Sequence, residues 1–102
     1  MENKKVDELE IIGELNENGL SYEFNTLRVY ADQKEKRYYW ATDSGCSCPC
    51  PFERVRSTAH MTEIKLHEFL SFERVVDDFP ADLSERTKLK DIVRRLLELK
   101  KD

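Results

Sequence analysis

The chain has few of the residues that usually announce special chemistry. Its 102 residues include three glycines, three prolines, three cysteines and two histidines. Gly13, Gly19 and Gly45 stand alone, so no glycine-rich loop is available to cradle a phosphate. No apolar run approaches the length of about 18 residues that a membrane-spanning helix needs. The start, Met1 to Lys5, is polar and is not followed by the apolar stretch of a secretory leader. The expectation is a chain of the reducing cytoplasm with no membrane association. Three cysteines cannot all pair within one chain, which favours free thiols or a metal over a disulfide framework.

What is present describes a small globular domain. Hydrophobic content of 39% and charge of 37% predict one domain, residues 1–102, with a modest core and a heavily solvated surface. The net charge of −4 is unevenly spread. Residues 1–23 carry two lysines against seven acids, and residues 61–85 two basic groups against seven acids. Residues 86–102 carry seven basic groups against three acids. A wide basic footprint for nucleic acid is therefore lacking.

Along the chain, residues to about Asp7 are expected to fray. Leu9 to Leu15 alternates loosely and predicts a strand. A short helix over 6–15 competes, because Val6, Leu9, Ile12 and Leu15 recur at roughly helical spacing. Asn18-Gly19 is a hairpin turn signal. Leu20, Tyr22 and Phe24 alternate with polar residues, and a break follows near Asn25-Thr26. Strands at 27–31 and 37–42 are then joined by the charged turn Asp32 to Lys36. Asp43-Ser44-Gly45 is expected to end the second strand in a turn. Glu63 to Leu66 reads as a further strand or a helix start. Ser71 is a candidate N-cap for a short helix through Phe72, Val75, Val76 and Phe79, which Pro80 stops. Asp82 and Glu85 form a capping box for a helix over 82–100. Leu89, Ile92, Val93, Leu96 and Leu97 make its apolar stripe. The predicted fold is α+β: an antiparallel meander of about three strands, a rigid Cys/Pro loop over 43–53, and a C-terminal helix packed on the sheet.

The densest chemistry is Cys46-Ser47-Cys48-Pro49-Cys50-Pro51, which holds every cysteine and two of the three prolines. It follows the aromatic strand Tyr38-Tyr39-Trp40 and runs into Phe52-Glu53. The stretch from Tyr38 to Glu53 resembles a motif of small uncharacterised proteins encoded by actinobacterial phages, W-x-T-D-S-G-C-S-C-P-x-P-F-E. The likeness covers about 16 residues and implies no activity. It does imply that the position of Cys50 need not be cysteine, which leaves Cys46 and Cys48 as the pair to explain.

Zinc sites usually pair ligands at C-x₂₋₄-C or H-x₃₋₅-H spacing. Here the cysteines alternate as C-x-C-x-C, and six residues separate His60 from His67. Polyproline geometry at Pro49 splays Cys48 from Cys50 by about 120°. A zinc site from Cys46 and Cys48, with Cys50 or His60, is thus the alternative reading, set against cysteines that only anchor a loop. A Cys46–Cys48 disulfide would lie near the upper limit of about 6.8 Å between Cα atoms and be strained. Nucleophilic catalysis needs a base beside a thiol, and nothing in sequence places His60 or His67 there. The basic residues Arg86, Lys88, Lys90, Arg94, Arg95, Lys100 and Lys101 suit a solvated helix face better than a DNA contact.

The reading favoured from sequence is a non-enzymatic, phage-type binding module of the host cytoplasm with a protein partner and no cofactor. Its candidate site is Trp40, Asp43, Ser44, Gly45, Cys46, Ser47, Cys48, Pro49, Pro51, Phe52 and Glu53. Tyr38 and Trp40 share one strand face, and Tyr39 points to the other. One face is expected to pack on the C-terminal helix and the other to serve as interaction surface.

Overall fold

The computed structural model describes residues 4–17, 23–46, 55–69 and 71–101. One antiparallel sheet has the order β1-β2-β3-β4, with β1 Glu10–Asn16, β2 Glu23–Asp32, β3 Arg37–Cys46 and β4 Thr62–Glu63. Helices α1 Phe72–Val75 and α2 Leu83–Lys101 follow. The α+β class is as expected, but the sheet has four strands in place of three. Thr62 and Glu63 pair with Trp40 and Tyr39 and form the short final edge. No helix among the described residues is long and apolar enough to cross a membrane.

The strand reading of residues 9–15 holds, and the helix-like spacing has a physical origin. The β1–β2 register shifts between Ile11 and Gly13. This bulge re-phases the pleat, so Ile12 and Leu15 face the same core although three residues apart. Val6 and Leu9 pack elsewhere, against Tyr30, Ala41 and Val55 on the opposite face. That second cluster covers the face expected to be an open interaction surface. Within the start expected to fray, Lys4, Lys5 and Val6 are tied to the strand-like segment around Ser57. Lys5 bridges Ser57, Val6 N–H donates to Arg56 C=O at 2.8 Å, and Thr58 N–H donates to Lys4 C=O at 2.9 Å.

Two further expectations change along the central hairpin. β2 runs unbroken through Asn25-Thr26, and β3 runs through Asp43-Ser44-Gly45 to Cys46. The expected turn at 43–45 is strand because Glu23 to Thr26 supply it with a ladder partner. The polar side chains of β2 find cross-strand partners: Thr26 Oγ1 donates to Asn16 Oδ1 at 2.7 Å, and Asn25 Nδ2 to Glu17 Oε1 at 3.1 Å. Gly45 lies opposite Phe24, whose ring sits within contact range of the glycine and covers its bare backbone. Tertiary pairing outweighs local turn propensity here.

α2 matches its predicted span and stripe. Leu89, Ile92 and Leu96 are buried against Leu27, Val29, Phe72, Val76 and Phe79. Each such side chain contributes about 1.5–3 kcal/mol by leaving water. Asp82 Oδ1 accepts the Glu85 N–H at 3.0 Å, the capping half of the predicted box. The Glu85 carboxylate has another task. Its Oε1 accepts the Asn16 N–H of β1 at 2.7 Å, and its Oε2 pairs with Lys88 at 2.8 Å. Arg95 donates to the Ile12 carbonyl at 3.3 Å, so α2 side chains bond the backbone of edge strand β1 at two points. Close approach is possible because residue 13 is glycine. A Cβ there would lie 2.6 Å from Ile92 Cδ1 and closer still to Cγ1. Ile92 is β-branched and helical, so its χ1 has almost no freedom to yield.

The other helix is shorter than expected. α1 is one turn, and Ser71 occupies its N-cap position without a side-chain cap bond. The chain then turns through 76–78, and Phe79 and Val76 still reach the core.

Gly13→Ala is expected to cost about 1–3 kcal/mol in urea unfolding, and markedly less in an Ile92→Ala background, because the two side chains compete for one space. Glu85→Gln tests the carboxylate link. The Lys88 ammonium, aided by the Asn16 N–H and opposed by burial, holds the Glu85 pKa below the ordinary glutamate value. A depressed folded-state pKa gives stability that is complete above the unfolded value and lost as pH falls through the folded one. The wild-type advantage over Glu85→Gln should therefore be full at neutral pH and shrink toward zero on acidification, measured by urea titrations at stepped pH.

Candidate functional site

The sequence-predicted site divides into two parts. Trp40, Asp43, Ser44 and Gly45 lie on β3, and Cys46 is its last residue, opposite Glu23. Ser47, Cys48, Pro49, Cys50, Pro51, Phe52 and Glu53 lie outside the described residues, so that part of the expected Cys/Pro loop and the proposed Cys48 and Cys50 ligands do too. His60 sits exposed in the 3₁₀ turn Thr58–His60, where its Nδ1 accepts the Arg56 N–H at 3.3 Å. Among the described residues, no three His, Cys, Asp or Glu side chains converge as a metal would require.

Trp40 is on the helix side of the sheet together with Tyr38. Tyr38 packs edge-on to Phe69, with ring centroids 5.5 Å apart. Ala41 takes the other side, with Tyr30 and Val55. Tyr39 is buried, and that burial pushes its hydroxyl pKa up against the effect of Arg37. The expected shared face of Tyr38 and Trp40 is therefore observed.

Trp40 borders an open groove of about 320 Å³. Its floor is β2 and β3, through Asn25, Leu27, Trp40 and Thr42. Its wall is the link after α1, through Val75, Val76, Asp78, Phe79 and Pro80. The Trp40 indole Nε1 is buried and has no hydrogen-bond partner among the described residues. Burying an unpaired donor costs about 1–3 kcal/mol, and native proteins keep few such groups.

Arg86 holds the wall in place. Its Nε donates to the Ala81 carbonyl at 3.1 Å, and its Nη2 to the carbonyls of Asp77 at 3.3 Å and Phe79 at 3.5 Å. Its Nη1 also faces Asp77 Oδ1 at 3.7 Å. The sequence placed Arg86 in a basic helix face. Here its planar fork satisfies the carbonyls of the turn between α1 and α2. Other cations of that face are engaged as well: Lys88 with Glu85, Arg94 with Asp91, and Arg95 with Glu10. The residues that complete the groove were legible only as core, because Val75 to Pro80 meet Trp40 through tertiary packing.

Arg86→Ala is expected to destabilise by about 1–3 kcal/mol, since the turn carbonyls lose a donor. It should also shift the fluorescence of Trp40, the single tryptophan. Arg86→Lys should recover little, because an ammonium cannot span the same carbonyls.

The family described as Domain of unknown function (DUF7574) matches residues 2–102, and the chain belongs to that family. No curated protein matches the chain, and no solved structure does.

Proposed function

We propose that this DUF7574 domain is a non-enzymatic binding module that takes a partner protein on the Trp40 side of its sheet. The observation that carries this reading is the Trp40 groove, where a large aromatic with an unpaired buried N–H borders an open hollow. Tryptophan is enriched among the few side chains that dominate binding energies. The Arg86 bonds and Pro80 set the wall in advance, which lowers the ordering cost of binding.

The sequence-predicted residues Cys46, Ser47, Cys48, Pro49, Pro51, Phe52 and Glu53 are proposed as part of the same binding site from their composition. Two prolines stiffen that sequence, and the motif from Tyr38 to Glu53 supports a phage-encoded protein acting in the host cytoplasm.

The test is capture from an actinobacterial host lysate with immobilised wild-type domain and a Trp40→Phe variant. Trp40→Phe should keep stability within about 1 kcal/mol, because deleting an unpaired N–H offsets the lost contact area. The expected result is a protein retained by wild type and lost with folded Trp40→Phe. Equal capture by both would contradict the reading.

A further inference from the structure

We infer that the Trp40 groove selects a partner segment in which an apolar side chain stands beside a lysine or arginine. This rests on the binding-module reading above and adds the partner's chemistry to it. A volume of about 320 Å³ is at the small end for ligand sites, so it suits an inserted side chain better than a large cofactor. Leu27, Val76, Phe79 and Pro80 offer that side chain an apolar lining.

The rim fixes the charge. Asp78 lines the groove and is exposed, and among the described residues no cation pairs with it. Its neighbour Asp77 faces Arg86. Asp78 is the charged residue that lines the groove, while the Arg86 cation on the same wall is engaged by Asp77 and the turn carbonyls, so the carboxylate at the mouth attracts a cation and disfavours phosphate. The Trp40 ring adds a surface on which an ammonium or guanidinium group is stabilised.

A second hollow of about 510 Å³, near the β2–β3 turn, does not carry the same argument. Its rim mixes Glu35 and Glu63 with Lys36, Arg37 and Lys65, so it favours neither sign.

The test uses the full chain labelled with ¹⁵N and three capped synthetic heptapeptides. The probe is Ser-Gly-Lys-Leu-Lys-Gly-Ser. The controls replace both lysines with glutamate, or the leucine with serine. The single indole resonance of Trp40 reports occupancy directly, up to millimolar peptide. The expected result is a saturable shift with the lysine probe that weakens with salt, and no shift with either control. Asp78→Asn should weaken the probe by about two- to fivefold, the range of an exposed ion pair. Saturable binding of the glutamate peptide at Trp40 would overturn the inferred charge preference and leave the binding-module reading standing. An unmoved indole with the lysine probe, or an Asp78→Asn domain that binds it equally well, would overturn the inference. The capture experiment decides the broader reading independently.

Discussion

The docking of α2 on edge strand β1 is the contact on which the rest of the structure depends. An edge strand leaves one row of backbone groups without a ladder partner, and exposed edges invite aggregation. Here Glu85 takes the Asn16 N–H and Arg95 takes the Ile12 carbonyl. Gly13 lets Ile92 come close enough for both bonds to form. The same helix buries Leu89, Ile92 and Leu96 in the core beneath β2. Apolar burial supplies most of the free energy, and the charge-assisted bond from Asn16 sets where along the strand the helix rests.

That placement also builds the groove. Once α2 is seated, Asp82 caps its N-terminus and Arg86 reaches back over the preceding turn. The turn then stands opposite Trp40 as a fixed wall. Among the described residues the Trp40 indole N–H, like Asp32 Oδ2, is buried without a hydrogen-bond partner, a departure from the pairing that most buried polar groups show. Departures of that kind concentrate where a protein does its work. The dock on β1, through Glu85, and the groove wall, through Arg86, are thus consequences of one packing event.

Much of this architecture is legible in the sequence, for reasons that can be named. The C-terminal helix announces itself through Asp82 and the Leu89–Leu97 stripe, both local patterns. The alternation along the aromatic strand correctly puts Tyr38 and Trp40 on one face. What escapes is set by partners distant in sequence. Asp43, Ser44 and Gly45 look like a turn and become strand because Glu23 to Thr26 pair with them. Ile12 and Leu15 look half helical because a bulge re-phases the pleat. Val75, Val76 and Phe79 look only like core, and the groove exists because they meet Trp40. Arg86 looks like one cation among seven on the last 17 residues, and its role is visible only through the carbonyls it faces. Cys46 marks the end of β3, and the cysteine and proline pattern beyond it remains a property of sequence alone.

Native-state hydrogen exchange across a shallow denaturant series tests the central claim most directly, because it resolves which elements open together. If α2 on β1 is the contact that holds the fold, the Asn16 amide and the amides around Leu89, Ile92 and Leu96 should share one opening free energy, equal to that of global unfolding. Exchange of the α2 amides through a lower-energy opening that leaves β2 and β3 protected would contradict the account.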